Sequence, residues 1–446
     1  MYIKKIVIEN IRCFEHVEID LSSQQGAKMW TLLLGDNGVG KTTILRCIAM
    51  ALMRSRNASG LLDELYGEWV RGKANEPETA FVYIEFEKSA SNQEPRWIKT
   101  IFKKEKSGYI DILQETSSGE VENFPWDEIF VCGYGAARRA FGSKDYSEYS
   151  AVDSLYTLFN YDAVLQNSEL IFRRLKDHVS SDIQAILKWL DNILMLPEGS
   201  TNLSKEGITI NGPWGNSMLL GALGDGHQAT IAWISDMLGW MMFYDEKVFK
   251  KGKEELSGII LLDEIEHHLH PGWQKQIIKL LSVQFPNLQF IATTHSPLCA
   301  IGSANLPDDK CSLVLLTQAD DHVTARDKLV PPHGRRADQV LSSYLFGLDT
   351  TRSDDSAQRI ERYSNLISKK TLTEKEQKEL SDLRSQLNEV LGSGETVLQR
   401  LVEKAVHESL EKLVANLSSE ELPPPQEAID FEVKRLLKDL FGKKHD

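Results

Sequence analysis

Long hydrophobic runs are missing from this sequence of 446 residues. No apolar stretch approaches the roughly eighteen residues that a membrane-spanning helix needs, and the opening residues MYIKKIVIEN lack the continuous apolar segment of a signal peptide. The composition, with 41% hydrophobic and 26% charged residues, is that of a globular protein. The sequence therefore predicts a cytoplasmic protein with no membrane partner.

An excess of basic residues is also missing. The chain has 51 Lys and Arg against 65 Asp and Glu, which gives a formal net charge of -14. This balance excludes a uniformly basic nucleic-acid binder. Local clusters of Lys and Arg can still bind phosphates on an acidic protein, so DNA or another nucleic acid stays open as a partner.

Closely spaced cysteines are absent as well. The five cysteines are dispersed along the chain, and none of them pairs at the spacing that a zinc site or a redox motif requires: Cys13, Cys47, Cys132, Cys299 and Cys311. They are expected to be buried, reduced thiols.

Three apolar runs are present and indicate strands that are buried on both faces. They are Trp30–Leu34, Gly258–Leu262 and Leu288–Thr293, and segments with helical spacing separate them. Strands that alternate with helices predict a parallel α/β sheet. The alternating segments around Ile6 to Ile8 and Val17 to Leu21 predict an antiparallel pair of strands before it.

Changes in pattern divide the chain into four predicted parts: residues 1–54, 55–215, 216–350 and 351–446. The first and third carry the apolar strands, and the second contains further strands and a helical segment at 168–195. The last part is rich in charged, leucine-spaced helices, with stripes at 380–391 and 398–413 that predict a helical hairpin. Thr373 and Glu376 have the spacing of a capping box. An amphipathic tail at 431–441 is expected to bind a partner.

A glycine loop directly follows the first apolar strand and precedes a helical pattern. It matches the pattern G-x-x-x-x-G-K-[ST] completely, with Lys41 as the cation for the β- and γ-phosphates and Thr42 as a hydroxyl for Mg²⁺. The context of strand, loop and helix makes a chance match improbable. The predicted nucleotide-binding residues are Gly35, Asp36, Asn37, Gly38, Val39, Gly40, Lys41, Thr42 and Thr43.

Acidic residues end the second apolar strand. Asp263 is placed to hold Mg²⁺ beside Thr42, and Glu264 is placed to orient or deprotonate an attacking water. His295 follows the third apolar strand, so it is expected at the same edge of the sheet, where it can contact the γ-phosphate. A histidine at a strand end is often only a structural hydrogen-bonding group, and the two preceding motifs favour the catalytic interpretation.

The segment Leu223, Gly224, Asp225 and Gly226 leads into another helical pattern. Glycines at the start of a helix expose N–H groups that can bind an anion. Taken alone, the segment is equally compatible with an ordinary helix cap.

These elements, in this order, resemble the ABC-type ATPases of the SMC, RecF and OLD group. Glu9 to Phe14, which includes Arg12, resembles the opening motif of the group, Leu223 to Gln228 its signature motif, and Asp263 to Pro271 its acidic-strand motif. The resemblance implies an ABC-type P-loop head, with a mixed or parallel sheet and antiparallel N-terminal strands, plus a helical insertion. It also implies ATP and Mg²⁺ as cofactors and Arg12 as a nucleotide contact.

In that group, ATP lies between two subunits and the signature motif of one faces the glycine loop of the other. The resemblance therefore implies a homodimer or a higher homo-oligomer. Gly224 stands where the group typically has serine, so that side-chain contact to the γ-phosphate is missing.

Within the group, the stretch Phe346 to Leu348 near Gln339 resembles the ATPase subunits of Septu anti-phage defence systems. Those subunits work with a separately encoded HNH nuclease, so the resemblance implies an ATPase with such a partner, and it leaves open whether ATP hydrolysis is slow. OLD proteins instead carry their own acidic nuclease centre. Here Asp320 and Asp321 lie between two alternating segments, which predicts a hairpin turn. The alternative function is a RecF-like or SMC-like repair ATPase that binds DNA directly.

Two further clusters have competing interpretations. His267, His268 and His270 could hold a metal ion, but the acidic-strand motif already accounts for this stretch. Arg138 and Arg139 could contact a nucleotide or nucleic acid, although a solvated or salt-bridged pair is the commoner arrangement. The lysines at 247, 250, 251 and 253 have the same two interpretations.

Overall fold

The computed structural model describes residues 1–391, apart from 25, 66, 73–77, 88–94, 179–182, 205–206, 213–216, 246–248, 250–252, 368 and 370–371. It divides into two compact units, Met1–Leu348 and Asp349–Asp446. The predicted leucine stripe at 398–413, the tail at 431–441 and three of the lysines (Lys247, Lys250 and Lys251) lie outside the described residues.

The strands and helices follow one another along the whole described part of the chain. The strands are β1 (Ile3–Ile11), β2 (Phe14–Asp20), β3 (Ser22–Ser23), β4 (Gly26–Ala27), β5 (Trp30–Leu34), β6 (Glu78–Phe86), β7 (Trp97–Lys104), β8 (Ile110–Thr116), β9 (Val131–Tyr134), β10 (Arg139–Lys144), β11 (Val164–Gln166), β12 (Thr201–Leu203), β13 (Ile208–Asn211), β14 (Ser217–Leu219), β15 (Gly258–Leu262), β16 (Leu288–Thr293), β17 (Cys311–Ala319) and β18 (His322–Leu329). The helices are α1 (Lys41–Ala51), α2 (Ser55–Leu62), α3 (Ala151–Leu155), α4 (Ser168–His178), α5 (Ile183–Ile193), α6 (Asp225–Tyr244), α7 (Pro271–Gln274), α8 (Ile277–Gln284), α9 (Pro297–Ser303), α10 (Ala337–Leu341), α11 (Asp354–Ile367) and α12 (Glu374–Leu391).

A six-stranded sheet in the order β18-β17-β5-β16-β15-β9 forms the centre of the first unit. Its neighbours are parallel except for β17 and β18, which form an antiparallel hairpin. The three apolar runs become β5, β15 and β16, side by side, and Asp320 and Asp321 form the turn of the hairpin. The predicted α/β fold with a mixed sheet is therefore confirmed.

Two hydrophobic cores cover opposite faces of this sheet. Successive side chains of a strand point to opposite faces, so Leu32 and Leu34 belong to one core and Leu33 to the other. In the same way, Ile260 and Leu262 pack with α4, α5, α6 and α8, whereas Ile259 and Leu261 pack on the side of α1. Burial on both faces explains why these strands are apolar without interruption.

A second sheet has the order β2-β1-β6-β7-β8 and is antiparallel throughout. The predicted antiparallel pair at the N-terminus is β1 and β2. Strands β6, β7 and β8, from the predicted insertion, extend this sheet, because β6 pairs with β1 from Ile3 to Glu9. The helical segment predicted at 168–195 contains two helices, α4 and α5.

The described part of the second unit contains α11 and α12, which pack together as a hairpin. Arg362 of α11 donates from Nε and Nη2 to the carboxylate of Glu379 of α12, at 2.8 and 3.0 Å. The capping box is formed as predicted, with the Thr373 N–H donating to Glu376 Oε2 at 3.0 Å and the Glu376 N–H facing Thr373 Oγ1 at 3.4 Å. The observed hairpin therefore pairs α12, which contains the predicted stripe at 380–391, with α11, a helix that precedes this stripe in the sequence.

The described residues contain no helix that has both the length and the apolar character to cross a membrane. All five cysteines are unpaired, and all except the half-buried Cys13 are buried.

Candidate functional site

The glycine loop connects β5 to α1 at the carboxyl edge of the central sheet. Gly40, the residue before α1, has a φ of 87°, in the left-handed region that favours glycine. A Cβ at this position would lie 2.6 Å from Cys13 Sγ and 2.6 Å from Phe14 Cζ. The loop therefore packs directly on the turn between β1 and β2, and a side chain at Gly40 would force the two apart.

Lys41 begins α1 and points back into the loop. Its Nζ donates to the carbonyl oxygens of Gly35 and Asp36, at 2.8 and 2.7 Å, and the side chain is only 6% exposed. Burial lowers the pKa of Lys41, and the nearby carboxylates of Asp263 and Asp36 act in the opposite direction. These contacts hold a cation inside a loop of the kind that can bind phosphate oxygens.

Asp263 and two threonine hydroxyls form the polar centre of the site. Thr42 Oγ1 donates to Asp263 Oδ2 at 2.8 Å, and Thr293 Oγ1 donates to Asp263 Oδ1 at 2.7 Å, while Asp263 is 3% exposed. Carboxylate and hydroxyl oxygens are the ligands that Mg²⁺ prefers. Thr42 and Asp263 thus supply a donor set that suits Mg²⁺ bound together with phosphate oxygens.

Glu264 directly follows Asp263 and has a φ of 49°, an uncommon conformation for a residue with a side chain. Its N–H donates to Thr293 Oγ1 at 2.7 Å. His295, after β16, donates its N–H to Glu266 Oε1 at 2.6 Å. Both Glu264 and His295 are half-buried and line the same cleft.

One cleft of about 370 Å³ brings most of the predicted residues together. Its lining includes the predicted residues Arg12, Asn37, Gly38, Gly40, Lys41, Thr42, Thr43, Asp263, Glu264 and His295. Arg12 lies in the turn between β1 and β2, and its guanidinium carbon is 5.3 Å from the centre of the Trp69 ring. Gly35, Asp36 and Val39 belong to the loop but are not part of this lining.

The segment Leu223 to Gly226 does not line the cleft; it lies at the start of α6. Gly224 is the residue before the helix, with no side-chain cap, and Gly224 and Asp225 are exposed. A Cβ at Gly226 would lie 2.4 Å from the carbonyl oxygen of His268. The start of α6 therefore packs closely on the loop that follows Asp263 and Glu264, while its first residues face solvent.

Sequence reasoning missed Arg46 and Tyr161, which also line the cleft. It considered Arg138 only as a nucleotide or nucleic-acid contact or as a solvated or salt-bridged residue, whereas Arg138 is 6% exposed and donates to the carbonyl oxygens of Asp263 and Glu264. The solvated or salt-bridged pair favoured for Arg138 and Arg139 is therefore wrong for Arg138. A signal existed in the position of Arg138 shortly after an apolar segment, but only the pairing of β9 with β15 places it beside Asp263.

His267 and His270 have structural partners. His267 Nδ1 lies 2.8 Å from the carbonyl oxygen of Ala136, and His270 Nδ1 accepts from the N–H of Gly272 at the start of α7. In the described part of the chain, no group of three or more His, Cys, Asp or Glu side chains is arranged to hold a metal ion.

Asp236, in the middle of α6, is a buried acidic residue that does not line the cleft. Tyr134 donates its hydroxyl to Asp236 Oδ2 at 3.0 Å, and the N–H of Gln166 donates to Oδ1 at 2.9 Å. Burial raises the pKa of Asp236 to about 6, although these hydrogen bonds favour the ionised form. Asp236 therefore connects the helix of the exposed segment to the end of β9.

This raised pKa predicts a pH-dependent stability. The folded protein binds the proton of Asp236 more tightly than the unfolded chain, in which the pKa is near 3.8, so folding loses stability as the pH rises from about 4 to about 6. We expect the unfolding free energy of the wild type, relative to Asp236→Asn, to fall by on the order of 1–3 kcal/mol across that interval. Urea unfolding at several pH values measures it. Parallel pH dependence in both proteins would contradict the shifted pKa.

Comparison with protein families matches residues 5–212 to a family described as AAA domain. Residues 214–300 match a second family, described as AAA domain, putative AbiEii toxin, Type IV TA system.

Three curated proteins are similar to the chain. The Septu protein PtuA of Bacillus mycoides (strain KBAB4) is 28% identical over 415 residues, which cover 91% of the chain and 53% of that protein. The Retron Vc95 probable ATPase of Vibrio cholerae serotype O1 biovar El Tor is 27% identical over 158 residues, 34% of the chain and 29% of that protein. The Septu protein PtuA of Bacillus thuringiensis is 35% identical over 101 residues, 22% of the chain and 25% of that protein. The chain spans about half the length of the first of these relatives.

Among solved structures, the crystal structure of the SmcHead bound to the C-winged helix domain of ScpA matches with a TM-score of 0.47 and 16% identity, over 74% of the chain and 98% of that structure's chain. The SMC head domain from Thermotoga maritima matches with a TM-score of 0.42 and 16% identity, over 73% of the chain and 98% of that structure's chain. The two AAA domain matches and the similarity to PtuA, which extends over 91% of the present chain, support the predicted resemblance to ABC-type P-loop ATPases.

Proposed function

We propose that the chain is the ATP-binding and ATP-hydrolysing subunit of an anti-phage defence complex, in which ATP-dependent pairing of two copies regulates a separately encoded, PtuB-like HNH nuclease. The observation that carries the ATPase function is the single cleft that contains Lys41, Thr42, Asp263, Glu264 and His295. The defence role rests on the names of the relatives, which are Septu and retron proteins.

Five residues of the cleft are given tasks in ATP hydrolysis under this proposal. Mg²⁺, when bound, would supply positive charge that offsets the charge developing on the phosphate oxygens. Thr42 and Asp263 would hold that ion, and Lys41 would bind the β- and γ-phosphate oxygens. Glu264 accepts a hydrogen bond from the attacking water and orients it, and the half-buried His295 contacts the γ-phosphate from the end of β16.

The position of the exposed segment supports the pairing of two copies. Leu223 to Gly226 span the start of α6, a helix of 20 residues whose N-cap residue Gly224 makes no side-chain cap hydrogen bond, and a helix start of this kind can bind an anion. The segment does not line the cleft of its own copy, so it is free to contact the nucleotide of a second copy. A homodimer, or a larger assembly built from such pairs, then contains complete sites.

The proposal assigns nuclease activity to a partner and not to this chain. Asp320 and Asp321 form the turn of the hairpin between β17 and β18, and Asp321 forms an ion pair with Arg71 at 2.8 Å. These two acids therefore have structural roles, in a hairpin turn and in an ion pair. The leucine-striped helices and the tail after residue 350 are the proposed binding region for the partner.

Copurification tests the proposed function. We expect the tagged chain, co-expressed with the proteins encoded beside it, to retain an HNH nuclease on the affinity column, and ATP to change the rate at which the complex cleaves DNA. The chain carrying Lys41→Ala is the control, because it should retain the nuclease and lose the response to ATP. A neighbour without nuclease motifs, or the absence of any complex, would contradict the proposal.

The same preparation tests the alternative of a DNA-binding repair ATPase. Direct binding of the isolated chain to duplex DNA, with an affinity that falls steeply as salt rises, is the result expected from a protein that contacts many phosphates. That result, without a nuclease partner, would favour the alternative over the defence function.

A further inference from the structure

Arg138 is a buried cation that contacts the backbone of the site and not its ligand-facing side chains. Its Nη2 donates to the carbonyl oxygen of Asp263 at 2.6 Å and to that of Glu264 at 3.0 Å, and the residue is 6% exposed. Arg138 lies four positions beyond the last residue of β9, and β9 pairs in parallel with β15. One guanidinium group therefore binds two successive peptide groups at the end of the acidic strand.

These contacts fix the orientation of Glu264. The peptide group between Asp263 and Glu264 is held from both sides, because its oxygen accepts from Arg138 and its N–H donates to Thr293 Oγ1 at 2.7 Å. The next peptide group is also held by Arg138. Glu264 has a φ of 49°, and such left-handed backbone costs about 1 kcal/mol or more for a residue with a side chain. The surrounding hydrogen bonds maintain this strained conformation.

Two more contacts join the segment from Tyr134 to Arg138 with the segment from Asp263 to His267. The N–H of Asp263 donates to the carbonyl oxygen of Tyr134 at 2.8 Å, and His267 Nδ1 lies 2.8 Å from the carbonyl oxygen of Ala136. The two segments are therefore bound along their length. Among these contacts, the one from Arg138 is made at Glu264, the residue proposed to orient the attacking water.

Maintaining a buried charge here is costly for folding. Burial lowers the pKa of Arg138 to about 10, against the attraction of the carboxylates of Asp263, Glu266 and Glu264. Its Nε atom is buried and has no hydrogen-bond partner in the described structure. A buried charge with an unsatisfied N–H is a poor way to stabilise a fold, because desolvation opposes it. The arrangement instead suits a role in the chemistry.

We propose that Arg138 is a positioning residue for ATP hydrolysis, which holds the peptide groups on both sides of Glu264 so that the carboxylate faces the attacking water. The inference rests on the proposed ATPase function and adds Arg138 to the same site as a residue that supports Glu264. Arg138 does not touch the nucleotide in this role; it acts through the backbone of Glu264.

The test compares Arg138→Met, Arg138→Lys and the wild type in steady-state ATP hydrolysis and in binding of a fluorescent ATP analogue. We expect Arg138→Met to lower kcat by about 100-fold, the cost of misplacing a catalytic group by roughly 1 Å, while the Kd for nucleotide changes by less than about threefold. Arg138→Lys retains the charge and one donor, so it should recover about tenfold of that loss. Arg336→Met is the control, since Arg336 lies just before α10 in an exposed ion pair with Asp338, outside the cleft.

Three outcomes would overturn the inference. The first is an unchanged kcat in Arg138→Met. The second is a parallel loss of kcat, nucleotide binding and melting temperature, which would make Arg138 merely structural. If Arg138→Met does not fold, Arg138→Lys decides the question. The third outcome that would overturn the inference is a kcat of Arg138→Lys equal to that of the wild type. Lack of hydrolysis by the wild type would instead overturn the proposed ATPase function, and this inference with it.

Discussion

Replacing Lys41 with alanine is expected to weaken ATP binding by about 100-fold or more, because the phosphates lose a cation and its charge-assisted hydrogen bonds. Nζ of Lys41 already lies inside the loop, bound to the carbonyl oxygens of Gly35 and Asp36. Phosphate oxygens would replace those partners with little movement of the side chain. Titration with a fluorescent ATP analogue in the presence of Mg²⁺ measures the loss.

Lys5→Ala is the matched control for this experiment. Lys5 lies on β1, where its Nζ forms an exposed ion pair with Glu18 at 2.7 Å, outside the cleft. Lys5→Ala removes the same positive charge as Lys41→Ala but lies outside the cleft, so the Lys5→Ala variant should bind ATP like the wild type. Circular dichroism must show that Lys41→Ala is folded. A Kd for Lys41→Ala within about threefold of the wild type would contradict the assignment of the loop.

Glu264→Gln is expected to produce the second large effect. The amide retains the shape of the carboxylate but is a poor base, so hydrolysis should fall by about 100-fold to 1,000-fold while nucleotide stays bound. If the exposed segment of a second copy contacts that nucleotide, the variant should remain paired. Size-exclusion chromatography with light scattering should then show a dimer that persists in ATP and Mg²⁺ and is absent with ADP.

Two further variants isolate the cause of the pairing. Glu18→Gln makes the same chemical change at an exposed position of β2 and should behave like the wild type. Adding Lys41→Ala to Glu264→Gln should abolish the ATP-dependent dimer, because the nucleotide is then not held. A variant that neither retains nucleotide nor dimerises would show that Glu264 lacks the assigned role.

The sequence predicted those parts of the fold that depend on local pattern. Strands β5, β15 and β16 are apolar without interruption because both faces are covered, and the glycine loop follows β5 directly. The capping box at Thr373 depends only on residues within one helical turn. Such features need no knowledge of distant residues.

Other parts of the site depend on contacts between distant residues. Arg138 reaches Asp263, which lies 125 positions further along the chain, only because the short strand β9 pairs with β15. Asp236 lies on a helix that is almost entirely buried, where neither spacing nor composition distinguishes an acid bound to Tyr134 from an exposed one. The pairing of distant strands cannot be read from local sequence, so the contacts of Arg138 and Asp236 could be assigned only once the fold was known.

The hydrogen bonds of Asp263 also determine what kind of ligand the cleft selects. Both carboxylate oxygens of Asp263 already accept hydrogen bonds from the hydroxyls of Thr42 and Thr293, and Lys41 is bound to loop carbonyl oxygens, so these polar groups are satisfied within the protein. An arriving ligand must exchange these partners for better ones. A polyphosphate alone releases Lys41 but sets its negative charge against Asp263, and a divalent cation alone offers nothing to Lys41. Only the two together would compensate both exchanges. If the proposed ATPase function is correct, the resting protein should therefore discriminate in favour of the metal-bound nucleotide.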